Sequence, residues 1–262
     1  MNREADKHYE EAGNNKVMPE NSFESTKMAK QATDSGTYVV TIDGPAASGK
    51  SSVSRELATR LGWKWVSTGT FYRGLAWAAS ELKVDLSNEA SLVAFAASGR
   101  FKVEMAAAQT LFFLDGNDRT DDIGKEDVGL LASKISSYPS VRLALLDAQR
   151  ECARISALAG IGLIAEGRDC GSVVFPQAAV KVFLTARAED RAQRRALEEG
   201  RSLEATITEQ ERRDHQDASR KTSPMVAPGG AVQIDTTGST LEQVVHQIER
   251  LVRTTMNITA RA

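Results

Sequence analysis

An α/β fold, a parallel sheet with helices on both faces, is the architecture that this 262-residue sequence predicts. Two observations carry it. Short β-branched, apolar runs alternate with longer stretches of helical period. The strand-like runs are apolar along most of their length, as strands buried on both faces are.

The elements follow in order. Residues 1–36 are polar with no apolar period and are expected to form a disordered extension. They lack the apolar core of a secretory signal, and their many acidic residues do not suit a transit peptide. Order is expected from Tyr38, where Tyr38 to Ile42 reads as a buried strand. A glycine-bearing turn leads into a helix over Ser51 to Leu61, stopped by Gly62. Trp63 to Val66 reads as a second strand, and residues 70–82 and 88–98 as helices. Phe101 to Met105 and Leu111 to Leu114 are short strand-like runs, followed by a turn over Asp115 to Asp118, which together predict an antiparallel insertion. Residues 126–136 and 140–158 are helical, with Pro139 opening the second. Ile161 to Ala165 and Val180 to Thr185 are again buried strands, with a loop over Glu166 to Pro176 between them. An arginine-rich helical stretch covers 187–221, a last strand Ala231 to Ile234, and a last helix Leu241 to Val252.

Composition bounds the function. There are 33 basic and 35 acidic residues for a net charge of −2, which disfavours a broadly basic nucleic-acid binder. No apolar run approaches the roughly 20 residues needed to cross a bilayer. Cys152 and Cys170 stand alone, outside any CxxC or Cys/His cluster, so neither a zinc framework nor a disulfide scaffold is expected. The expected setting is cytoplasmic.

The strongest signal is Gly44-Pro45-Ala46-Ala47-Ser48-Gly49-Lys50-Ser51, followed by Ser52. It fits G-x-x-x-x-G-K-[ST], and it follows a strand and opens a helix, as phosphate binding requires. The glycines let the backbone wrap a phosphate chain, and the helix N-terminus offers unpaired N–H groups and the positive end of its dipole. Lys50 can neutralise the β- and γ-phosphates, and the Ser51 hydroxyl can ligate Mg²⁺. The loop alone does not choose between a kinase, a switch GTPase and an ATPase motor. The base-reading N-K-x-D of GTPases is missing, and the nearest motor-like strand, Ile161 to Glu166, ends in a single carboxylate.

Further stretches decide. They are Ser67-Thr68-Gly69-Thr70-Phe71-Tyr72-Arg73, Ser133-Lys134, Pro139-Ser140-Val141-Arg142, Glu166-Gly167-Arg168-Asp169-Cys170-Gly171-Ser172-Val173-Val174-Phe175-Pro176, and Arg213-Asp214-His215-Gln216-Asp217-Ala218-Ser219-Arg220. In order and spacing these closely resemble the bacterial cytidylate kinases over about residues 38–253. The G-R-D-x-G-[ST]-V-V-F-P and R-D-x-x-D-x-x-R blocks are the specific ones.

The resemblance implies a P-loop nucleoside monophosphate kinase: a five-stranded parallel sheet flanked by helices, an acceptor-binding insertion and a short lid. Residues 37–262 would form the kinase domain, with its core over 37–66, 159–186 and 225–262, the insertion over 67–158 and the lid over 187–224. The implied reaction moves the γ-phosphoryl group of ATP to CMP or dCMP with Mg²⁺. No nucleic-acid or membrane partner is implied, and nothing demands more than a monomer. Gly44 to Ser52 would bind ATP, with Ser51 at the metal. Lys50, Arg168 and Arg213 would carry catalysis. Thr68, Arg73, Ser133, Arg142, Arg168, Asp169, Asp217 and Arg220 would bind the acceptor, the arginines gripping phosphate as planar forks.

Two positions depart from the family pattern. Ser67 stands where the family has Asp, and Gln216 stands where it has a lid arginine. Asp115 is open between a base contact and simple turn duty. Arg187, Arg191, Arg194 and Arg195 fall on one helical face, open between a solvated surface and a lid role. Trp63, Trp65 and Trp77 are expected in the core rather than as stacking platforms. Competing readings are a kinase for AMP or UMP, and a nucleotide-binding regulator without turnover.

Overall fold

Alternate side chains of a buried strand face opposite sides of a sheet, so each run of β-branched residues needs two apolar layers to cover it. A computed structural model, which describes residues 39–106, 109–200, 202–218 and 225–258, shows both layers. Strand β1 (Val39–Asp43) is buried at every position. It is followed by α1 (Lys50–Leu61), β2 (Lys64–Ser67), α2 (Gly69–Glu81) and α3 (Glu89–Ala96). A small antiparallel sheet comes next, with β3 (Phe101–Met105), β4 (Thr110–Leu114) and β5 (Asn117–Asp118). Helices α4 (Thr120–Ile123), α5 (Glu126–Ile135) and α6 (Pro139–Leu158) lead to β6 (Leu163–Gly167) and a π-helical turn, Cys170–Val174. The chain then forms β7 (Val180–Thr185), α7 (Ala188–Glu199), α8 (Leu203–Ala218), β8 (Val232–Asp235) and α9 (Leu241–Met256).

The main sheet has five parallel strands in the order β2-β6-β1-β7-β8. Val39, Leu163, Ala165 and Val66 face one apolar layer, formed with residues of α2, α5, α6 and β4. Val40, Ile42, Ile164, Val182, Leu184 and Ile234 face the other, formed with residues of α1 and α9. Trp65 is buried in this second layer and Trp63 packs against it, while Trp77 meets Phe112 edge-on at 6.2 Å. The tryptophans therefore serve the core, as expected.

Register decides where the site falls. Asp43 of β1 pairs with Gly167 of β6, and Ser67 of β2 pairs with Glu166. The carboxyl ends of β1, β2 and β6 are thus level, and the loops that leave them open onto one edge. From central β1 the chain runs outward past β6 to β2, whereas β7 leads the other way to β8. This is the switch point at which open parallel sheets bind ligands.

Several boundaries differ from the sequence expectation. Strand β6 begins at Leu163 rather than Ile161 and runs on to Gly167, carrying Glu166 in the sheet and not in a loop. The π-helical turn occupies part of the expected 166–176 loop. The single helical stretch expected over 187–221 is two helices, because Gly200 adopts the left-handed conformation (φ 63°) that ends α7. The antiparallel insertion is present, with Phe101 opposite Leu114, but Asn117 and Asp118 form a third strand rather than part of the turn. Asp115 (φ 49°) and Gly116 (φ 80°) alone make the reversal, the pattern of a two-residue hairpin turn. The expected N-terminal extension lies outside the described residues, as does Arg220.

Candidate active site

The level carboxyl ends of β1, β2 and β6 open into one cleft of about 430 Å³. Its floor is the loop between β1 and α1. Gly44 has φ 149°, and a side chain there would meet the Leu184 carbonyl oxygen at 2.2 Å, so only glycine lets the chain turn this close to β7. Lys50 opens α1 and is 6% exposed. Its ammonium donates to the Pro45 carbonyl at 2.5 Å and to Ser48 Oγ at 3.4 Å, so the loop is closed around its own cation. Ala46, Ala47, Gly49, Ser51 and Ser52 also line the cleft. Gly44, Pro45 and Ser48 do not line it; they shape the loop from beneath.

Glu166 is the residue that sequence reasoning missed. It is 3% exposed at the end of β6, and its carboxylate accepts from the Ser51 hydroxyl at 2.9 Å. The signal was present, since the strand-like run from Ile161 ends in a carboxylate. Only the sheet register shows that this carboxylate meets the P-loop serine.

The opposite wall gathers residues from four distant stretches. Thr68, Arg73, Ser133, Arg142, Arg168 and Asp169 all line the cleft. Thr68 donates its hydroxyl to the Glu166 carbonyl at 2.9 Å. Arg73 reaches from α2 to the carbonyls of Ile123, Gly124 and Lys125 at 2.9, 3.3 and 3.1 Å. Arg142, on α6, forms an ion pair with Asp169, donates to the Ser136 carbonyl at 3.2 Å, and lies 5.5 Å over the Tyr72 ring. Both members of that pair are under a tenth exposed, so it is a desolvated pair with little competition from water. Arg168 donates to the Gly44 carbonyl at 3.1 Å and so ties this wall to the P-loop. Arg213 and Asp217 belong to α8, with side chains outside the described part of the structure.

Three arginines of the α7 face turn inward rather than to solvent. Arg191 donates to the Ala46 carbonyl at 3.1 Å and pairs with Asp214 of α8 at 2.6 Å. Arg195 pairs with Glu126 of α5 at 2.7 Å, and both Arg194 and Arg195 line the cleft. Only Arg187 points outward, paired with Asp190 at 2.7 Å. Asp115 takes the other alternative. It pairs with Arg100 at 2.6 Å in the hairpin turn, is well exposed, and is not among the cleft residues. Ser67, the departure from the family pattern, lines the cleft and donates its backbone N–H to Thr110 Oγ1 at 3.0 Å.

Two buried groups beneath the wall are electrostatically displaced. Asp43, fully buried, is pushed up to about 6 by desolvation, although the amides of Gly171 and Cys170 oppose the shift. The Cys170 thiol is pushed far above its ordinary range by burial and then by the Asp43 and Asp169 charges. Such a thiol is inert at neutral pH. Cys152, buried in α6, is likewise raised, to about 12, chiefly by burial.

A floor of backbone amides and one lysine beside a wall of arginines concentrates the donors and positive charge that phosphate oxygens require. The family model described as cytidylate kinase matches residues 40–254, which include every site residue named above. The chain belongs to the cytidylate kinase family. Similar proteins are the cytidylate kinases of Bdellovibrio bacteriovorus, 54% identical over 82% of this chain and 97% of the relative, and of Azotobacter vinelandii, 45% identical over 80% and 93%. The cytidylate kinase of Pseudomonas fluorescens is 42% identical over the same shares. The five-stranded parallel sheet with its P-loop accords with the nucleoside monophosphate kinase fold to which cytidylate kinases belong. Among the described residues, no helix is long and apolar enough to cross a membrane.

Proposed function

We propose that the chain transfers the γ-phosphoryl group of ATP to CMP or dCMP, giving ADP and CDP or dCDP. The observation that carries this reading is that the P-loop cation Lys50 and the arginines Arg73, Arg142 and Arg168 line one cleft. Phosphoryl transfer asks little covalent chemistry of a protein. It asks for in-line positioning and for positive charge around a dispersed negative transition state.

The roles follow from position. Residues 44–52 wrap the phosphates of ATP with backbone N–H groups at the start of α1. Lys50 exchanges its carbonyl and hydroxyl partners for phosphate oxygens. Arg73 and Arg168 grip the acceptor phosphate, and Arg168, already at the Gly44 carbonyl, stands where the two phosphates meet. Ser133 and the Arg142–Asp169 pair present a hydroxyl, a guanidinium and a carboxylate to the nucleoside. Cytosine offers an amine donor and two acceptors, which this set can match. An acceptor-phosphate oxygen forms the new bond to the γ-phosphorus as the bond to the β-phosphate oxygen breaks. Arg168, Arg191 and Arg195 spread the charge. Residues 67–158 act as the acceptor-binding insertion and 187–224 as the lid. Arg213 and Arg220 are proposed with the lid and acceptor on the resemblance alone, as is Asp217.

The Ser51 hydroxyl and the Glu166 carboxylate, 2.9 Å apart, are hard oxygen donors of the kind that hold Mg²⁺ through one carboxylate, phosphates and water. They fit the ion and would hold it, and it would supply positive charge to the phosphoryl group in transfer.

The test is ADP release with Mg-ATP and CMP, dCMP, UMP, AMP or GMP offered separately. Turnover strongest with CMP and dCMP is expected. Preference for AMP or GMP overturns the acceptor reading, and silence with all five overturns the enzyme.

A further inference from the structure

The π-helical turn Cys170–Val174 follows directly on Arg168 and Asp169, so its placement sets where those side chains stand. Thr68 Oγ1 lies 3.4 Å from Cys170 Sγ and Arg150 donates to the Val173 and Val174 carbonyls, but the first two amides of the turn are held by one buried carboxylate. Asp43, the last residue of β1, is fully buried. Its Oδ1 accepts from the Cys170 amide and its Oδ2 from the Gly171 amide, both at 2.8 Å. Two charge-assisted bonds from consecutive amides fix a turn in position and orientation. The fit is close on the other side too. A Cβ at Gly171 would lie 2.7 Å from Thr41 Oγ1, 2.9 Å from Pro228 Cγ and 3.3 Å from Asp43 Oδ2. β1 itself is clamped by parallel partners on both sides, so the strand is the rigid member and the turn the one being held.

Burying this carboxylate is costly. Desolvation and the Asp169 charge both work against its ionised form. An apolar residue would avoid that cost but would leave the buried Cys170 and Gly171 amides without an acceptor, so the carboxylate is what holds the turn. π-Helical turns concentrate at functional sites, and this one joins the strand that ends in the P-loop to the segment that grips the acceptor.

Resting on the assignment of Arg168 and Asp169 to the acceptor site, we propose that Asp43 is a positioning residue for the acceptor side. Its carboxylate holds the Cys170–Gly171 amides so that Arg168 and Asp169 meet CMP, and it does this without touching the nucleotide.

Asp43→Asn is the first test, because it keeps the shape but sets an amide N–H against a backbone N–H. CMP and a non-hydrolysable ATP analogue are titrated separately into wild type and variant by calorimetry. CMP affinity should fall about 10- to 100-fold, the scale of a lost hydrogen bond to a charged group, while the ATP analogue binds within about twofold and the melting temperature shifts by a few degrees at most. Gly171→Ala, whose Cβ would crowd Thr41, Pro228 and the Asp43 carboxylate and so push the turn away from β1, should show the same CMP-selective loss and keeps the proposal open to refutation if Asp43→Asn does not fold. Equal loss of both ligands, or unchanged CMP affinity in a folded variant of either kind, overturns it. Wild-type protein that binds no CMP would instead overturn the acceptor reading on which the proposal rests.

Discussion

The floor and the wall of the cleft are built in different ways. The floor is one contiguous run, residues 44–52, held by the strand before it and the helix after it. Its chemistry resides largely in backbone N–H groups, which have the geometry they need as soon as the loop closes. The wall is made of side chains from the start of α2, from α5 and α6, and from the two residues after β6, up to about a hundred residues apart in sequence, and its arginines lean on carbonyls and carboxylates of the protein. A site made of backbone is fixed by local folding. A site made of long cations needs tertiary packing to aim each one, and each pays conformational entropy to be held. Donor binding should therefore be robust to changes in the wall, while acceptor binding should be fragile.

The largest effect tests the floor. Lys50→Ala should lower kcat about 10²- to 10³-fold, the scale of losing one preorganised transition-state donor. Steady-state rates at saturating ATP and CMP check this, and near-normal turnover would contradict the P-loop reading. Arg168→Ala comes next and probes the asymmetry directly. Its kcat/KM for CMP should drop about 10- to 100-fold, the range for a charge-assisted hydrogen bond, while ATP affinity measured by titration holds. Equal loss on both sides would place Arg168 with the donor.

Glu166→Gln sharpens the boundary between the two regions, because Glu166 comes from the wall strand but touches the floor. It should raise the Mg²⁺ concentration for half-maximal rate about tenfold, within the range for altering one metal-site group, and added Mg²⁺ should restore much of the rate. An unchanged Mg²⁺ dependence would leave Glu166 a hydrogen-bond partner only. The smallest effect concerns stability. Burial raises the Asp43 pKa from 3.8 to about 6, with Asp169 and Cys170 as the titratable groups facing it. The folded protein thus takes up a proton between pH 6 and pH 4 that the unfolded chain does not. Asp43 therefore lowers stability as pH rises through that window and adds stability as pH falls. The pH slope of the melting temperature over that window should be shifted in Asp43→Asn, and identical slopes would count against the raised pKa.

The same difference explains what could be read from the sequence. The P-loop was legible because its function lies in one run of residue types, and the parallel sheet because its strands are apolar on both faces. A turn over Asp115 to Asp118 was legible from local chemistry, but not that Asp115 and Gly116 alone make it. Beyond that, spacing gives composition but not direction. Arg191, Arg194 and Arg195 share a helical face that could equally have met solvent, and only the packing of α7 turns them to Ala46, Thr236 and Glu126. The Glu166–Ser51 contact spans 115 residues and depends on the register of β6. The break at Gly200 is a local glycine helix stop inside one helical period, and the late start of β6 is a boundary shift of two residues. The roles proposed for Thr68, Ser133 and Arg142 rest on resemblance to a family rather than on periodicity.

The most direct measurement follows ATP and CMP together in the wild-type protein by ³¹P NMR with Mg²⁺ present. Equal amounts of ADP and CDP, with ADP formation almost absent when CMP is left out, are the predicted result. They would mean that the floor donates only to an acceptor held by the wall. Steady ADP formation without CDP would contradict the account, since the cleft would then deliver the phosphoryl group to water.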